Sequence, residues 1–277
     1  MKFWKLHGIG NDFIALDGRF DGINPDNYGK IAKKLCHRRF SVGADGLLVV
    51  KNSTLASIEM VYYNSDGSRA NMCGNGLRCF VKFIYDNNIV NKDEFDVYTL
   101  DGIKKIKLNL KNNKIDTIKI NMGCGSFKSN DIPVNDKDET FINKKIRVLD
   151  KEFIVSSMLM GVPHTIVFVD EFNMEEILRY GPLIEEHEIF TQKTNVNFVK
   201  IVDEENIFVR TWERGCGYTL GCGTGMTASV IISNYLNKVN ESVNVTSEGG
   251  SIKIDLADNF AYMIGNAVKI CEGNLEV

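Results

Sequence analysis

The sequence predicts an α+β protein of two pseudo-symmetric lobes, and three observations support this fold class. The chain has 277 residues, which is enough for about two domains that each bury a core. Its second half repeats three segments of the first half in the same order. In each half, a period-two apolar pattern runs into a Cys-Gly-x-Gly turn and then into a pattern of helical period. We therefore expect each lobe to be a mostly antiparallel sheet or barrel around a central helix.

The first two repeated segments are strands that lead toward the glycine turns. "HGIGNDFIALD" at 7–17 pairs with "MGVPHTIVFVD" at 160–170, and each is a glycine-containing turn followed by an apolar run that ends in Asp. "IEMVYYN" at 58–64 pairs with "IFVRTWE" at 207–213, and both alternate apolar and polar residues as a half-buried strand does. Helical patterns follow the turns in both halves.

The third repeated segment is a hairpin, "VYTLDGIKKIKLNL" at 97–110 and "VTSEGGSIKIDL" at 245–256, with an Asp-Gly or Gly-Gly turn. A repeat of this length is too long for a solenoid and indicates a duplicated domain. We place the two lobes at residues 1–130 and 131–277, and we expect the last few residues to pack back on the first lobe.

The composition argues against several classes of protein. The formal net charge is −3 with scattered charges, so no basic patch for nucleic acid is expected. No apolar run has the length of a signal peptide or a membrane span. The seven cysteines lack the C-x-x-C spacing of metal sites and read as thiols. We expect a cytoplasmic protein whose partner is a small molecule, with no nucleic acid, membrane, cofactor or metal, and with a homodimer as the oligomer to test for.

Each Cys-Gly-x-Gly turn places a cysteine at the start of a predicted helix, as Cys73 and as Cys222. A helix N-terminus carries about half a positive charge and several N–H groups without a helical partner, which favours a thiolate and an anionic ligand. The glycines allow a ligand to approach the backbone closely. Since ligand sites often lie between domains, we expect both turns to face one cleft.

Two thiols on opposite sides of one carbon are suited to inverting its configuration. One thiolate removes the α-proton while the opposite thiol delivers a proton to the other face. N–H groups aimed at the carboxylate stabilise the negative charge that builds there in the transition state. The residues therefore predict a cofactor-independent amino-acid racemase or epimerase.

Four motifs closely resemble the diaminopimelate epimerase family: "LHGIGNDF", "NSDGSRANMCGNGLRC", "TNVNFV" and "ERGCGYTLGCGTGMTAS". The resemblance covers nearly the whole chain and implies that Cys73 and Cys222 are the catalytic thiols. It implies substrate contacts from Asn11, Asn64, Asn195, Glu213 and Arg214, and backbone contacts to the α-carboxylate from Gly74, Asn75, Gly223 and Thr224. His164 occupies the place that Asn11 has in the first half, so we also expect it to contact the substrate.

Two positions depart from the family pattern. Val162 stands where the family usually has an Asn that contacts the distal carboxylate, and Tyr218 stands where it usually has Glu. Losing one polar partner of a buried carboxylate costs about 1–3 kcal/mol, which is enough to change the substrate. We therefore take both as specificity candidates and expect an amino acid other than diaminopimelate. Histidine is the best single candidate because the family includes histidine racemases, and the alternative is diaminopimelate epimerase proper.

Two other classes are less favoured. A thiol hydrolase or phosphatase with Cys73 as a lone nucleophile leaves Cys222 without a role, and "GCGTGMTAS" lacks the Lys of a phosphate-binding loop. A non-catalytic amino-acid-binding protein does not require both thiols.

Overall fold

The computed structural model describes residues 1–20 and 22–275. The chain divides into two compact units, Met1–Asn121 together with the segment from Ile264 onward, and Met122–Met263. The sequence predicted a division at 130/131, whereas the compact units divide at 121/122. The last few residues were expected to pack back on the first lobe, and the first unit includes the segment from Ile264 onward.

The elements of the first half are β1 (Lys2–Gly8), β2 (Asn11–Asp17), α1 (Tyr28–Leu35), β3 (Gly46–Lys51), β4 (Ile58–Asn64), β5 (Arg69–Ala70), α2 (Gly74–Asp86), β6 (Glu94–Thr99), β7 (Gly102–Lys111) and β8 (Lys114–Gly123). The elements that follow are β9 (Lys144–Val148), β10 (Lys151–Met160), β11 (Val162–Phe168), α3 (Met174–Glu185), β12 (Asn195–Asp203), β13 (Asn206–Glu213), β14 (Gly217–Thr219), α4 (Gly223–Tyr235), β15 (Ser242–Ser247), β16 (Gly250–Ala257) and β17 (Phe260–Gly265). The strand β18 (Val268–Asn274) belongs to the first unit, where it pairs antiparallel with β1.

The two units share one topology. In the first unit β1 pairs antiparallel with β2, β2 parallel with β3, β3 antiparallel with β4, and β4 parallel with β6. In the second unit β10, β11, β12, β13 and β15 pair in the same order and with the same directions. A short strand, β5 or β14, pairs antiparallel with the strand that precedes each Cys-Gly-x-Gly turn. The duplication read from the sequence is therefore a duplication of topology.

Alternate residues of a strand point to opposite sides, so the strands of each unit present two faces. One helix packs on each of these faces. In the first unit Ile14, Leu16 and Val49 pack in a buried cluster with residues of α1. In the second unit Val167, Val196 and Phe198 pack in a cluster with residues of α3.

The opposite faces are covered by α2 and α4, whose residues are mostly buried over their first eleven positions. α4 has no charged residue and is apolar or small on nearly all sides, as a helix at the centre of a unit is, whereas α2 carries Lys82 and Asp86 near its C-terminal end. The predicted α+β class, with a central helix in each unit, is confirmed. Among the residues that the structure describes, no helix has the length and apolar character to span a bilayer.

Candidate active site

Cys73 is the N-cap residue of α2, with extended backbone angles (φ −140°, ψ 124°). Its Sγ accepts a hydrogen bond from the backbone N–H of Gly76 at 3.5 Å, so the sulfur itself caps the helix. The thiol also lies 3.5 Å from Oδ1 of Asn11, to which it donates. The first turn of α2 thus places a half-buried sulfur at the positive end of the helix.

Asn11 is held in a defined orientation by charged neighbours. Its Nδ2 donates to Oδ2 of Asp45 at 2.6 Å, which leaves Oδ1 facing Cys73. Asp45 in turn accepts from the guanidinium of Arg38 at 2.6 Å. Sequence reasoning missed Asp45 and Arg38, although an acidic residue directly before the apolar strand β3 was a signal that could have identified Asp45.

A buried guanidinium lies one turn beyond Cys73. Arg78 is fully buried and donates to Oδ1 of Asn75 at 2.8 Å and to the backbone oxygen of Asn266 at 3.1 Å. Burial lowers the pKa of Arg78, and ionisation of Cys79 or Cys73 would oppose this shift. A positive charge held in this position favours the thiolate form of a neighbouring cysteine.

Cys222 is the N-cap residue of α4, in the second unit, and is 7% exposed. Its Sγ lies 3.4 Å from the hydroxyl of Thr224. Burial, together with the negative charge of Glu213, raises the pKa of Cys222 well above its ordinary value, and the hydrogen bond with Thr224 opposes this shift only in part. Glu213 is oriented by Thr219, whose hydroxyl donates to its carboxylate at 2.6 Å. Cys222 is therefore a protonated thiol near neutral pH.

The loop after β13 is fastened by two side chains. Asn195 accepts from the backbone N–H of Arg214 at 2.8 Å and donates to the backbone oxygen of Pro163 at 3.1 Å. Glu185 accepts from the indole N–H of Trp212 at 2.7 Å and from the N–H of Gly215 at 3.1 Å. Sequence reasoning missed Glu185, since a single acid at the end of an amphipathic helix carries no distinguishing pattern.

His164 is completely buried next to Asn195 in the parallel pair β11–β12. Burial, with a smaller contribution from the charge of Arg214, lowers its pKa to about 3, so the imidazole is neutral at pH 7. Its Nδ1 lies 3.3 Å from Nδ2 of Asn197, which is also completely buried. Asn197 was not singled out from the sequence, although it follows Asn195 by two residues on a strand and so shares its face.

The remaining predicted contacts lie in the same two regions. Asn64 ends β4, and its Nδ2 donates to the hydroxyl of Ser68 at 3.0 Å. The four positions predicted to hold a carboxylate lie in the first turns of α2 and α4, where N–H groups point out of the helix; they are Gly74, Asn75, Gly223 and Thr224. Within each unit, the structure brings these turns together with the cysteine that precedes them.

The two specificity candidates differ in their surroundings. Val162 is half-buried at the start of β11. Tyr218 pairs with Trp212 across β13 and β14, so their side chains share one face of the hairpin, while Glu213 points to the other. Tyr218 packs against the cluster that contains Tyr180 and Phe198, and burial, with the charge of Glu248, raises its pKa to about 12. This placement favours a packing role for Tyr218 over a substrate contact.

A cavity of about 470 Å³ lies in the second unit, away from Cys222. It is lined by aromatic residues that include Phe153, Phe168 and Tyr180, and Lys238 and Glu176 are among its charged residues. Within the described part of the chain, no cluster of three or more His, Cys, Asp or Glu side chains could hold a metal ion.

A strand, a turn and a helix with a cysteine at the N-cap position, present once in each of two similar units, form the arrangement of a two-thiol racemase or epimerase, which is an isomerase. Residues 3–128 and 156–270 match the family described as diaminopimelate epimerase. The chain belongs to this family, as the resemblance in its motifs predicted.

Curated relatives match over the full length. The chain is 50% identical over 276 residues to the diaminopimelate epimerase of Clostridium perfringens (strain 13 / Type A), covering 99% of this chain and 98% of that protein. It is 44% identical to the diaminopimelate epimerase of Alkaliphilus metalliredigens (strain QYMF), covering 99% and 96%. Among solved structures, a hydroxyproline epimerase from Agrobacterium vitis has the same fold, with a TM-score of 0.73 at 14% identity over 99% of this chain and 91% of that one. The family match and the curated relatives confirm the predicted isomerase class.

Proposed function

We propose that this chain is a diaminopimelate epimerase that inverts one α-carbon with the thiols of Cys73 and Cys222. The observation that carries the proposal is 50% identity, over nearly the whole chain, to a protein of that name. The capping position of each cysteine on a buried helix supports the chemistry. The proposed ligand is a free amino acid, and the reaction is proposed to need no nucleic acid, membrane, cofactor or metal. The oligomer to test for remains a homodimer.

The two thiols have different resting states in this proposal. The pKa of Cys222 is raised by burial and by Glu213, so Cys222 begins as the proton donor. Cys73 acts from its thiolate form, which it reaches by releasing the proton that it donates to Asn11 in this structure; the α2 N-terminus and the buried Arg78 favour that release. The α-C–H bond breaks as Cys73 gains a proton, and a new C–H bond forms on the other face as the S–H bond of Cys222 breaks. The reverse reaction exchanges the two roles.

The negative charge of the intermediate is placed on the substrate α-carboxylate. We assign its binding to the backbone N–H groups of Gly74 and Asn75 and of Gly223 and Thr224, which lie in the first helical turns. Such donors are pre-oriented and each contributes about 2.7–4 kcal/mol to transition-state stabilisation in comparable sites. The substrate contacts of Asn11, Asn64, His164, Asn195, Glu213 and Arg214 remain part of the same proposal.

Diaminopimelate is preferred over histidine for two reasons. Relatives named diaminopimelate epimerase extend from 50% identity down to 37% over 99% of this chain. Tyr218, one of the two departures on which the histidine hypothesis rested, lies on the face of the β13–β14 hairpin opposite to Glu213. Val162 alone then remains as a departure in the predicted pocket, and one lost polar contact of about 1–3 kcal/mol weakens binding without requiring another substrate.

The test is proton NMR of the reduced protein in D₂O with LL-diaminopimelate, L-histidine or L-lysine. After the α-proton is removed, deuterium takes its place and the α-proton signal disappears. Loss of this signal therefore reports the reaction for each amino acid. We expect exchange with diaminopimelate only. Exchange with histidine and not with diaminopimelate would overturn the substrate assignment, and no exchange with any amino acid would overturn the reaction.

Matched cysteine variants test the catalytic pair. Cys73→Ser and Cys222→Ser should each lose inversion by several orders of magnitude, because a serine hydroxyl is a far weaker acid than a thiol. Cys124→Ser, at an exposed cysteine, is the control and should keep wild-type turnover. Near-normal turnover in either of the first two variants would exclude that residue as an acid/base group.

A further inference from the structure

We propose that Asn197 is a positioning residue that holds His164 in the tautomer with its proton on Nε2, so that His164 serves as a hydrogen-bond donor and not as a base. The proposal deepens the proposed function, on which it rests for the identity of the ligand that accepts this bond. Asn197 lies within the motif "TNVNFV", but neither the motif nor the resemblance assigned it a role.

The orientation of the Asn197 amide is determined by two neighbours. Its Nδ2 lies 3.4 Å from the backbone oxygen of Thr165, which can only accept a hydrogen bond. Its Oδ1 lies 3.0 Å from the hydroxyl of Thr211, which donates to it. A flipped amide would place two oxygens against each other at Thr165, so the NH₂ group must face Thr165 and His164.

The tautomer of His164 follows from that orientation. Nδ2 of Asn197 can only donate, and it lies 3.3 Å from Nδ1 of His164. Nδ1 must therefore accept, and a neutral imidazole that accepts at Nδ1 carries its proton on Nε2. A doubly protonated ring would set two donors against each other at this contact. Both side chains are completely buried, so this contact is shielded from bulk solvent.

The other ring nitrogen, Nε2, remains an unsatisfied donor. The ring of His164 is completely buried, and its Nε2 has no hydrogen-bond partner in the described structure. An unsatisfied buried donor destabilises the protein, and such groups are rare unless a ligand or water pairs with them. The acceptor that fits a donor of this kind is an oxygen of the anionic substrate.

The position of Asn197 also ties this arrangement to Cys222. A Cβ on Gly225 would lie 2.3 Å from Oδ1 of Asn197, so the amide packs directly against the first turn of α4. The glycine three residues after Cys222 thus allows the amide to occupy that space. One side chain consequently contacts both His164 and the helix turn that carries Cys222.

The direct test is the tautomer itself, measured by long-range ¹H–¹⁵N correlation NMR on protein labelled with ¹⁵N-histidine. The chain has four histidines, and His164→Gln identifies the signals of His164. We expect Nδ1 of His164 to be unprotonated and Nε2 to be protonated, without titration between pH 5 and 8. A proton on Nδ1 in the wild-type protein would overturn the inference.

Two variants test the role of Asn197. Asn197→Asp replaces the donor by an acceptor, so Nδ1 should become protonated and His164 should begin to titrate. Thr211→Val is the matched control, because it removes the partner of Oδ1 and leaves the Nδ2 contact, so the proton should stay on Nε2. An unchanged proton position in Asn197→Asp would show that Asn197 does not set the tautomer.

The donor role is tested by turnover. His164→Gln keeps an N–H donor near the place of Nε2, whereas His164→Leu keeps none, so kcat/KM should fall about tenfold further in the Leu variant. Equal losses would overturn the donor role. The two proposals can fail separately. If no amino acid exchanges its α-proton, the proposed function is wrong, and the NMR measurement of the tautomer still tests this inference. If diaminopimelate exchanges but Nδ1 of His164 carries the proton, only this inference is wrong.

Discussion

Replacing Gly225 with alanine should destabilise the protein and displace Cys222. The added Cβ would lie 2.3 Å from Oδ1 of Asn197, whereas close C···O contacts in proteins are about 3.3 Å, so the overlap is about 1 Å. Asn197 cannot yield easily, because Thr211 and Thr165 hold its amide at both ends. The first turn of α4 must therefore move.

The net cost can be estimated from two opposing contributions. Overpacking a buried site costs about 1–3 kcal/mol, and an overlap with a pinned amide belongs at the upper end of that range. Alanine returns at most about 1 kcal/mol through its greater helix propensity. The expected loss is therefore about 2 kcal/mol, or about 4–8 °C in the melting temperature, together with a fall in kcat as Cys222 moves.

Gly76 offers a matched control, since it also stands three residues after a capping cysteine. A Cβ there would lie 3.3 Å from the ring of Phe13 and 3.4 Å from Cδ2 of Leu48, an overlap of only a few tenths of an ångström with side chains that can adjust. Gly76→Ala should change stability by less than about 1 kcal/mol. Thermal unfolding of both variants checks the estimate, and a Gly225→Ala protein as stable as the control would refute the steric argument.

Two predictions concern protonation. Glu213→Gln should lower the pKa of Cys222, because the charge of Glu213 adds to burial in raising it. The rate of iodoacetamide labelling of Cys222, measured against pH by peptide mass spectrometry, should then shift to lower pH. An unshifted profile would contradict the assignment. Burial raises the pKa of Asp12, but hydrogen bonds from Arg38 and Lys5 outweigh it and lower the pKa from 3.8 to about 2. Asp12 therefore contributes stability that is present above about pH 4 and lost toward pH 2, and Asp12→Asn should flatten acid unfolding over that interval; identical curves would argue against it.

Local patterns in the sequence were sufficient for the fold class and for the positions of Cys73 and Cys222. Strand alternation, the Cys-Gly-x-Gly turns and helical periodicity are short-range signals, and each corresponds to an element in both units. The division between lobes was less accessible, since the unit boundary at 121/122 depends on long-range packing and not on a polar linker.

The surroundings of individual side chains were harder to foresee. Tyr218 lies in a recognisable motif, but its face depends on the register that pairs it with Trp212, which no local pattern shows. The contacts of His164 depend on a parallel strand that begins 31 positions later in the chain, at Asn195. Asn197 was within reach of the alternation rule, but its partners, Thr211 and His164, come from two other strands.

The place of β18 in the first unit has a consequence for the order of folding. β18 pairs with β1 over most of its length, and the backbone N–H of Leu275 donates to the oxygen of Met1 at 2.8 Å. On the ribosome, the strand that covers this side of β1 emerges only after the whole second unit has been made. The edge of β1 thus stays open to mispairing during synthesis, while the second unit can fold earlier. A chain truncated before Val268 should therefore leave the second unit folded and the first one prone to aggregation.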